Sequence, residues 1–202
     1  MALKNKFGIE DATELARVEE KISKRNAIEL FTSGRLENFP SGKFSTLAEI
    51  HRALFGEIYD FAGKIRTVNL AKGHFRFAAA LYLKEALAQI ENMPQKNFND
   101  IVEKYVEMNV AHPFREGNGR SMRIWLDHIF KTELGQVVDW SRVDKAKYLS
   151  AMEFSPVHDD KIKKILAAAL TDKIDDREIF IKGIDASYFY ENYFAYRAQE
   201  LL

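Results

Sequence analysis

"HPFREGNGRSMR" occupies residues His112 to Arg123. A helical pattern, "NFNDIVEKYVEMNVAH", runs into it and stops at Pro113, and a second, "NGRSMRIWLDHIFKTEL", starts inside it and ends near Gly135. The stretch therefore reads as a junction between two helices, with its chemistry at a helix N-terminus. Gly117 and Gly119 let the backbone around Asn118 adopt conformations closed to other residues. Consecutive N–H groups in such a loop form a concave nest, and the positive end of the following helix adds to it. Phosphate is the usual occupant of that arrangement. Arg120 and Arg123 lie in the first turn, where guanidiniums take phosphate oxygens in pairs. Glu116 would repel a bare phosphate, so it makes sense beside a divalent cation, of which magnesium is the expected one. His112 stands at the mouth, where an imidazole can accept the proton of an incoming hydroxyl. Phe114 is expected to point into the core and fix the loop. The packet thus implies phosphoryl or nucleotidyl transfer to a hydroxyl, and its residues leave the transferred group open.

Composition sets the frame. The 202 residues suffice for one domain with a real core, and no repeat or linker divides them. Thirty basic residues balance thirty acidic ones, which removes nucleic acid as a default partner. There is no cysteine, so disulfides, thiolate nucleophiles and cysteine-held metals are excluded. No stretch is apolar enough for a signal peptide or a membrane span, and a cytoplasmic location is expected. No G-x-x-x-x-G-K-[ST] loop occurs, and His112 has no partner histidine at helical spacing, so neither a Walker loop nor a zincin site is present.

Outward from the packet the pattern stays helical. "DATELARVEEKISKRNAIELFTSG" ends near Gly34, "STLAEIHRALFGEIYDFAG" near Gly63, and "AALYLKEALAQIENM" before Pro94. Beyond Gly135, "VDKAKYLSAMEFS", "DDKIKKILAAALTD", "DDREIFIKGI" and "DASYFYENYFAYRAQELL" give four more helices. One stretch departs from this. "KIRTVNLAKGHFRFA" (64–78) has β-branched residues before Lys72-Gly73 and alternating phenylalanines after it, which reads as a short β-hairpin.

The packet matches H-x-F-x-[D/E]-G-N-G-R-x-x-R at every specified position, and so resembles the signature of the Fic family. The resemblance covers most of the chain and implies an all-α Fic-like helical bundle with one hairpin, the flap. It also implies transfer of AMP from ATP to a Ser, Thr or Tyr hydroxyl of a target protein, with release of pyrophosphate. By resemblance His112 is the general base and Glu116 holds Mg²⁺. Gly117, Asn118 and Gly119 cradle the phosphates, and the Asn118 side chain can donate to them. Arg120 and Arg123 take the outer phosphates, Arg123 nearest the γ-phosphate. Asn109, Val110 and Ala111, just before the histidine, are placed at the ATP site, and Lys72 at the flap tip reaches the nucleotide. The flap would align a target segment by main-chain pairing, which leaves side-chain choice loose.

A second stretch, "SYFYEN" (Ser187 to Asn192), has Ser187 and Glu191 four apart on one helix face. It resembles the family's inhibitory [S/T]-x-x-x-E-[G/N] helix, placed here over 186–202, after a core over 1–185 and within the same domain. By that resemblance Glu191 pairs with Arg123, takes the place of the γ-phosphate, and in some members also helps remove AMP. Tyr188 and Tyr190 beside it are candidate self-modification sites. The six aromatics from Tyr188 to Tyr196 exceed what a brake needs, and point to a homo-oligomer. Transfer of another phosphate-containing group and a non-catalytic interaction role are the alternatives.

Overall fold

The computed structural model of the chain describes residues 2–73 and 75–201. Four of the helices start where an acidic or amide side chain caps them. Asp11 accepts from the Glu14 N–H to open α1 (Ala12–Thr32), and Asn97 accepts from the Asp100 N–H to open α4 (Phe98–Ala111). Asp144 and Asp176 do the same for α6 (Lys145–Phe154) and α8 (Arg177–Tyr190). The remaining helices are α2 (Phe44–Phe55), α3 (Leu83–Glu91), α5 (Asn118–Leu134) and α7 (Asp160–Ala169). The protein is all-α apart from two small antiparallel strand pairs among the described residues.

The central element is α5, which packs against α2, α4 and α8. Trp125, Leu126, Ile129 and Phe130 on it are fully buried. Each such side chain contributes about 1.5–3 kcal/mol by leaving water. Because α4 ends and α5 begins on either side of the 112–118 loop, this core holds the loop from both ends. Among the described residues no helix is long and apolar enough to cross a membrane.

Four elements differ from the sequence reading. The second helix stops at Phe55 rather than near Gly63, and Ile58, Tyr59 and Ala62 bury themselves from successive turns instead. The hairpin pairs only β1 (Ala71–Lys72) with β2 (Phe75–Arg76). Its expected first strand is diverted because the Arg66 N–H bonds the Pro113 carbonyl, 2.8 Å away, tying that segment to the active-site loop. A second pair, β3 (Val137–Val138) with β4 (Leu170–Thr171), was not expected.

The last correction concerns the C-terminus, where a separate helix over 186–202 does not form. The two expected helices are one, α8, which ends at Tyr190 in a Schellman turn. The Tyr193 N–H bonds the Tyr188 carbonyl and the Asn192 N–H that of Phe189, both at 3.0 Å. Asn192 takes the left-handed conformation this needs, at φ 66°, and the Tyr193 ring meets Tyr188 edge-on.

Candidate active site

Phe114 is fully buried, as expected, and the Asn118 side chain closes the loop onto it. Asn118 Oδ1 accepts from the Phe114 N–H and Nδ2 donates to the Phe114 carbonyl, both at 2.8 Å. Asn118 is therefore a loop clasp that uses one N–H of its amide on the Phe114 carbonyl. Gly117, at φ 77°, packs so closely on Phe55 that a Cβ there would strike the ring. The first N–H groups of α5 are left free of helical partners, the usual anion seat.

Arg120 is only 1% exposed, and its guanidinium is engaged by Glu19 at 2.6 Å and by Glu116 at 3.2 Å. Phe55, Tyr188 and Tyr193 pack on its faces. Burial pushes the Glu19 carboxyl up, but the Arg120 charge and a hydrogen bond from the Tyr59 hydroxyl outweigh it and hold the pKa low. A guanidinium so placed fixes Glu116 and α5 from below while α8 is docked. Glu116 itself lies 43% exposed at the cleft mouth, where a carboxylate can meet a cation.

Arg123 is the free end of the site, and α8 has filled it. Its Nε donates to Ser187 Oγ at 2.6 Å, while Nη2 donates to the Ser187 carbonyl at 2.8 Å and to Glu191 Oε1 at 3.2 Å. Glu191 is the residue that ends α8, so the Schellman turn aims its carboxylate. That carboxylate lies directly over Gly119, where a Cβ would collide with it. Its other oxygen is 3.7 Å from Lys72 Nζ on the flap. Burial raises the Glu191 carboxyl, but Arg123, Lys72 and Arg120 together hold its pKa below the ordinary value. An acid thus sits on the N-terminus of α5, fastened to an arginine and leaning on the hairpin.

His112 ends α4 in the left-handed region, at φ 48°. Its ring stacks on Phe77, with centroids 3.7 Å apart. Burial lowers its pKa to about 4, against the opposing pull of the Asn109 carbonyl and the Glu191 carboxylate. The Asn109 carbonyl favours a proton on the ring without meeting hydrogen-bond geometry, and Nδ1 is left buried and unpaired. At neutral pH the imidazole is uncharged, the state a general base requires.

These groups share one cleft of about 660 Å³, whose walls include Lys72, Asn109, His112, Glu116, Arg123 and Glu191. Leu149 and Met152 of α6 add an apolar wall that the sequence did not point to. Val110 and Ala111 are not on it. Their carbonyls instead accept from the Ala78 N–H and from Arg66, respectively. Asn192 lies outside the cleft as well, holding Lys145 at 2.7 Å across the end of α8. Tyr188 and Tyr190 are buried, and the Tyr190 hydroxyl donates to the carbonyls of Trp140 and Val143. Neither hydroxyl is open to modification while α8 is docked, so modification there cannot begin the release. Of the six aromatics that pointed to an oligomer, only Phe189 and Phe194 are exposed.

Three supporting residues escaped the sequence reading. His51 on α2 is fully buried, with Nε2 on the Glu116 carbonyl at 2.8 Å and Nδ1 accepting from the Gly63 N–H at 2.9 Å. Glu19 anchors Arg120, and Arg66 bonds the His112 carbonyl at 2.7 Å. The available signal was a polar residue on an apolar helix face: His51 lies between Leu47, Ile50 and Leu54.

The fold and cleft together define an all-α protein with a phosphate-type seat, a neutral histidine beside it and the Glu191 carboxylate lying over it. Residues 43–130 match the model of the Fic/DOC family. The chain carries a Fic domain over these residues. The chain is 31% identical over 196 residues to the protein adenylyltransferase VbhT of Bartonella schoenbuchensis, covering 90% of this chain and 40% of that one. It is 28% identical over 152 residues to the probable protein adenylyltransferase Fic of Salmonella typhimurium, covering 70% and 73%. The chain thus spans less than half of VbhT and about three quarters of the Salmonella protein. Its fold is that of the Bartonella tribocorum BepC protein crystallised with AMPPNP, at a TM-score of 0.71 and 20% identity over 85% of this chain and 93% of that one. A Fic domain from Bartonella quintana with bound ADP superposes at 0.70, with 24% identity over 84% and 91%.

Proposed function

We propose that this chain is a self-inhibited protein AMP transferase that moves AMP from Mg-ATP to a Ser, Thr or Tyr hydroxyl of a target protein. One observation carries the reading: the Glu191 carboxylate lies on Arg123 and over Gly119, an anion of the protein's own in the seat of a phosphate. Two relatives named as adenylyltransferases, and Fic neighbours solved with AMPPNP or ADP, support the choice of nucleotide.

Once α8 moves aside, Arg123 and the free N–H groups of α5 take the β- and γ-phosphates. Leu149 and Met152 offer an apolar surface to the nucleoside. Among the described residues no cluster of His, Cys, Asp or Glu could hold a metal alone, so the cation has to arrive with the nucleotide. That suits magnesium, which keeps water and substrate phosphates as ligands and needs one or two carboxylates. Glu116 is the residue that would hold it, and the ion supplies charge neutralisation on the phosphates when bound.

The flap hairpin aligns the target backbone, and neutral His112 accepts the target hydroxyl's proton. The hydroxyl oxygen then bonds the α-phosphorus as the bond to the bridging oxygen breaks. AMP stays on the target, and pyrophosphate leaves with the electron pair. While Glu191 holds Arg123, the outer phosphates cannot be seated and this alignment is lost. Self-modification at Tyr188 or Tyr190 belongs after release of α8, and of the six aromatics Phe189 and Phe194 are the ones a homo-oligomer could use.

The test uses ATP labelled at either the α- or the γ-phosphate, supplied with Mg²⁺ to Glu191→Gly protein and to Glu191→Gly/His112→Ala protein. Alpha label on protein that disappears with His112 is the expected result. Gamma label on protein would replace AMP transfer with phosphate transfer, and no label at all would leave an interaction module.

A further inference from the structure

Arg66 is all but fully buried, yet no acid pairs with it among the described residues. Its guanidinium donates only to backbone carbonyls, and they come from two places. Nε reaches His112 at 2.7 Å and Nη2 reaches Ala111 at 3.1 Å, the open carbonyl end of α4. Nη1 reaches Val68 and Nη2 reaches Ala78, both at 2.5 Å, the two roots of the flap. The Arg66 N–H adds the Pro113 carbonyl at 2.8 Å, and the Ala78 N–H bonds Val110 at 2.9 Å. One planar, five-donor group therefore joins both feet of the hairpin to the peptide bonds on either side of the catalytic histidine.

We infer that Arg66 is a positioning residue that fixes the register between a target strand added to the flap and the His112 imidazole. The inference rests on the AMP-transfer reading above. Its physical basis is that the nucleophile arrives on the flap while the base sits at the end of α4. These are separate elements, and among the described residues the Arg66 clamp, the Phe77–His112 stack and the Ala78 N–H bond to Val110 join them at the site. His112 also holds an unfavourable left-handed backbone, which the bond to its carbonyl stabilises. A helix-capping role alone would need only the carbonyls of α4. The two bonds to Val68 and Ala78 are what couple the flap to the histidine.

Lysine is the informative replacement, because it keeps the charge and can cap α4 but cannot span four carbonyls with a fixed fork. The experiment compares Glu191→Gly protein with Glu191→Gly/Arg66→Lys protein, well below the lower of their melting midpoints. AMP transfer to protein and affinity for a non-hydrolysable ATP analogue are both read. The expected result is a kcat lowered about a hundredfold, as for a reacting pair displaced by about 1 Å, with analogue affinity unchanged. A second variant, Glu191→Gly/Phe77→Leu, removes the ring stack that also joins flap and histidine, and should lower kcat in the same way, again sparing the analogue. Equal kcat in the lysine variant overturns the inference, and so does a fall matched by an equal loss of analogue binding. An inactive Glu191→Gly parent would instead count against the AMP-transfer reading itself.

Discussion

Lowering the pH from 6.5 to 5 should loosen this fold through histidines that are buried uncharged. His51 has no nitrogen left for a second proton, because Nδ1 accepts from Gly63 and Nε2 donates to Glu116. Burial holds its pKa, and that of His112, at about 4, against an ordinary value of 6.5. His128 is lowered by burial too and adds in the same sense. Asp127 opposes them. Burial raises its carboxyl from 3.8 to about 7, against hydrogen bonds from the Val138 N–H and the Trp140 indole, so the folded protein keeps a proton the unfolded chain has lost. The unfolded histidines are half protonated at pH 6.5 and almost fully so at pH 5, so His51 and His112 less Asp127 leave the unfolded chain with an excess that grows from about a quarter of a proton to just under one, and His128 adds to it. The loss of stability should therefore steepen from roughly 0.3 to roughly 1.1 kcal/mol per unit of pH as the pH falls across this window, with His128 adding to it. Glu19 and Glu191, whose pKa values are lowered, forfeit their contribution only as the pH drops below 4.5. Urea unfolding at steps of pH measures the slope, and Asp127→Asn should steepen it by about 1.4 kcal/mol per unit. Stability that is flat, or that rises as the pH drops to 5, would refute the argument that burial keeps these rings neutral.

Other substitutions probe the brake and the floor of the cleft separately. Ser187→Ala removes the 2.6 Å bond to Arg123 Nε but leaves the Ser187 carbonyl and Glu191 in place. It should loosen the brake by about 1 kcal/mol and raise AMP transfer roughly fivefold, less than loss of Glu191 does; no change would show the serine idle. Glu19→Gln breaks the buried pair with Arg120 and should cost about 3–5 kcal/mol in urea unfolding, where a loss below 1 kcal/mol would contradict it.

What could be read from the chain was what lies close together along it. His112 to Arg123 carries its base, acid, glycines and arginine in one turn-and-helix, so residue types and spacing were enough to place the seat. The supporting groups act across long separations: Glu19 is 101 residues from Arg120, and Arg66 is 46 from His112. On their own helices and turns they read as ordinary surface charge. The same distance hid the surroundings of Arg120, to which α1 brings the Glu19 carboxylate. The hairpin was overread because Ile65, Thr67 and Val68 have strand-like side chains, while the backbone there bonds the loop at Pro113 instead. The end of α8 did have a signal, Asn192 as a left-handed helix stop, but the run of aromatics around it mimicked a continuing amphipathic helix.

The most direct measurement is the rate of AMP transfer by wild-type protein against Glu191→Gly, with Mg-ATP and the same target preparation. Freeing the buried Arg123 guanidinium from one charge-assisted contact is worth about 2–3 kcal/mol, so the variant should be faster by roughly thirty- to a hundred-and-fiftyfold. Equal rates in the two proteins would mean that the carboxylate over Gly119 does not guard the phosphate seat, and the account of a self-plugged transferase would fall.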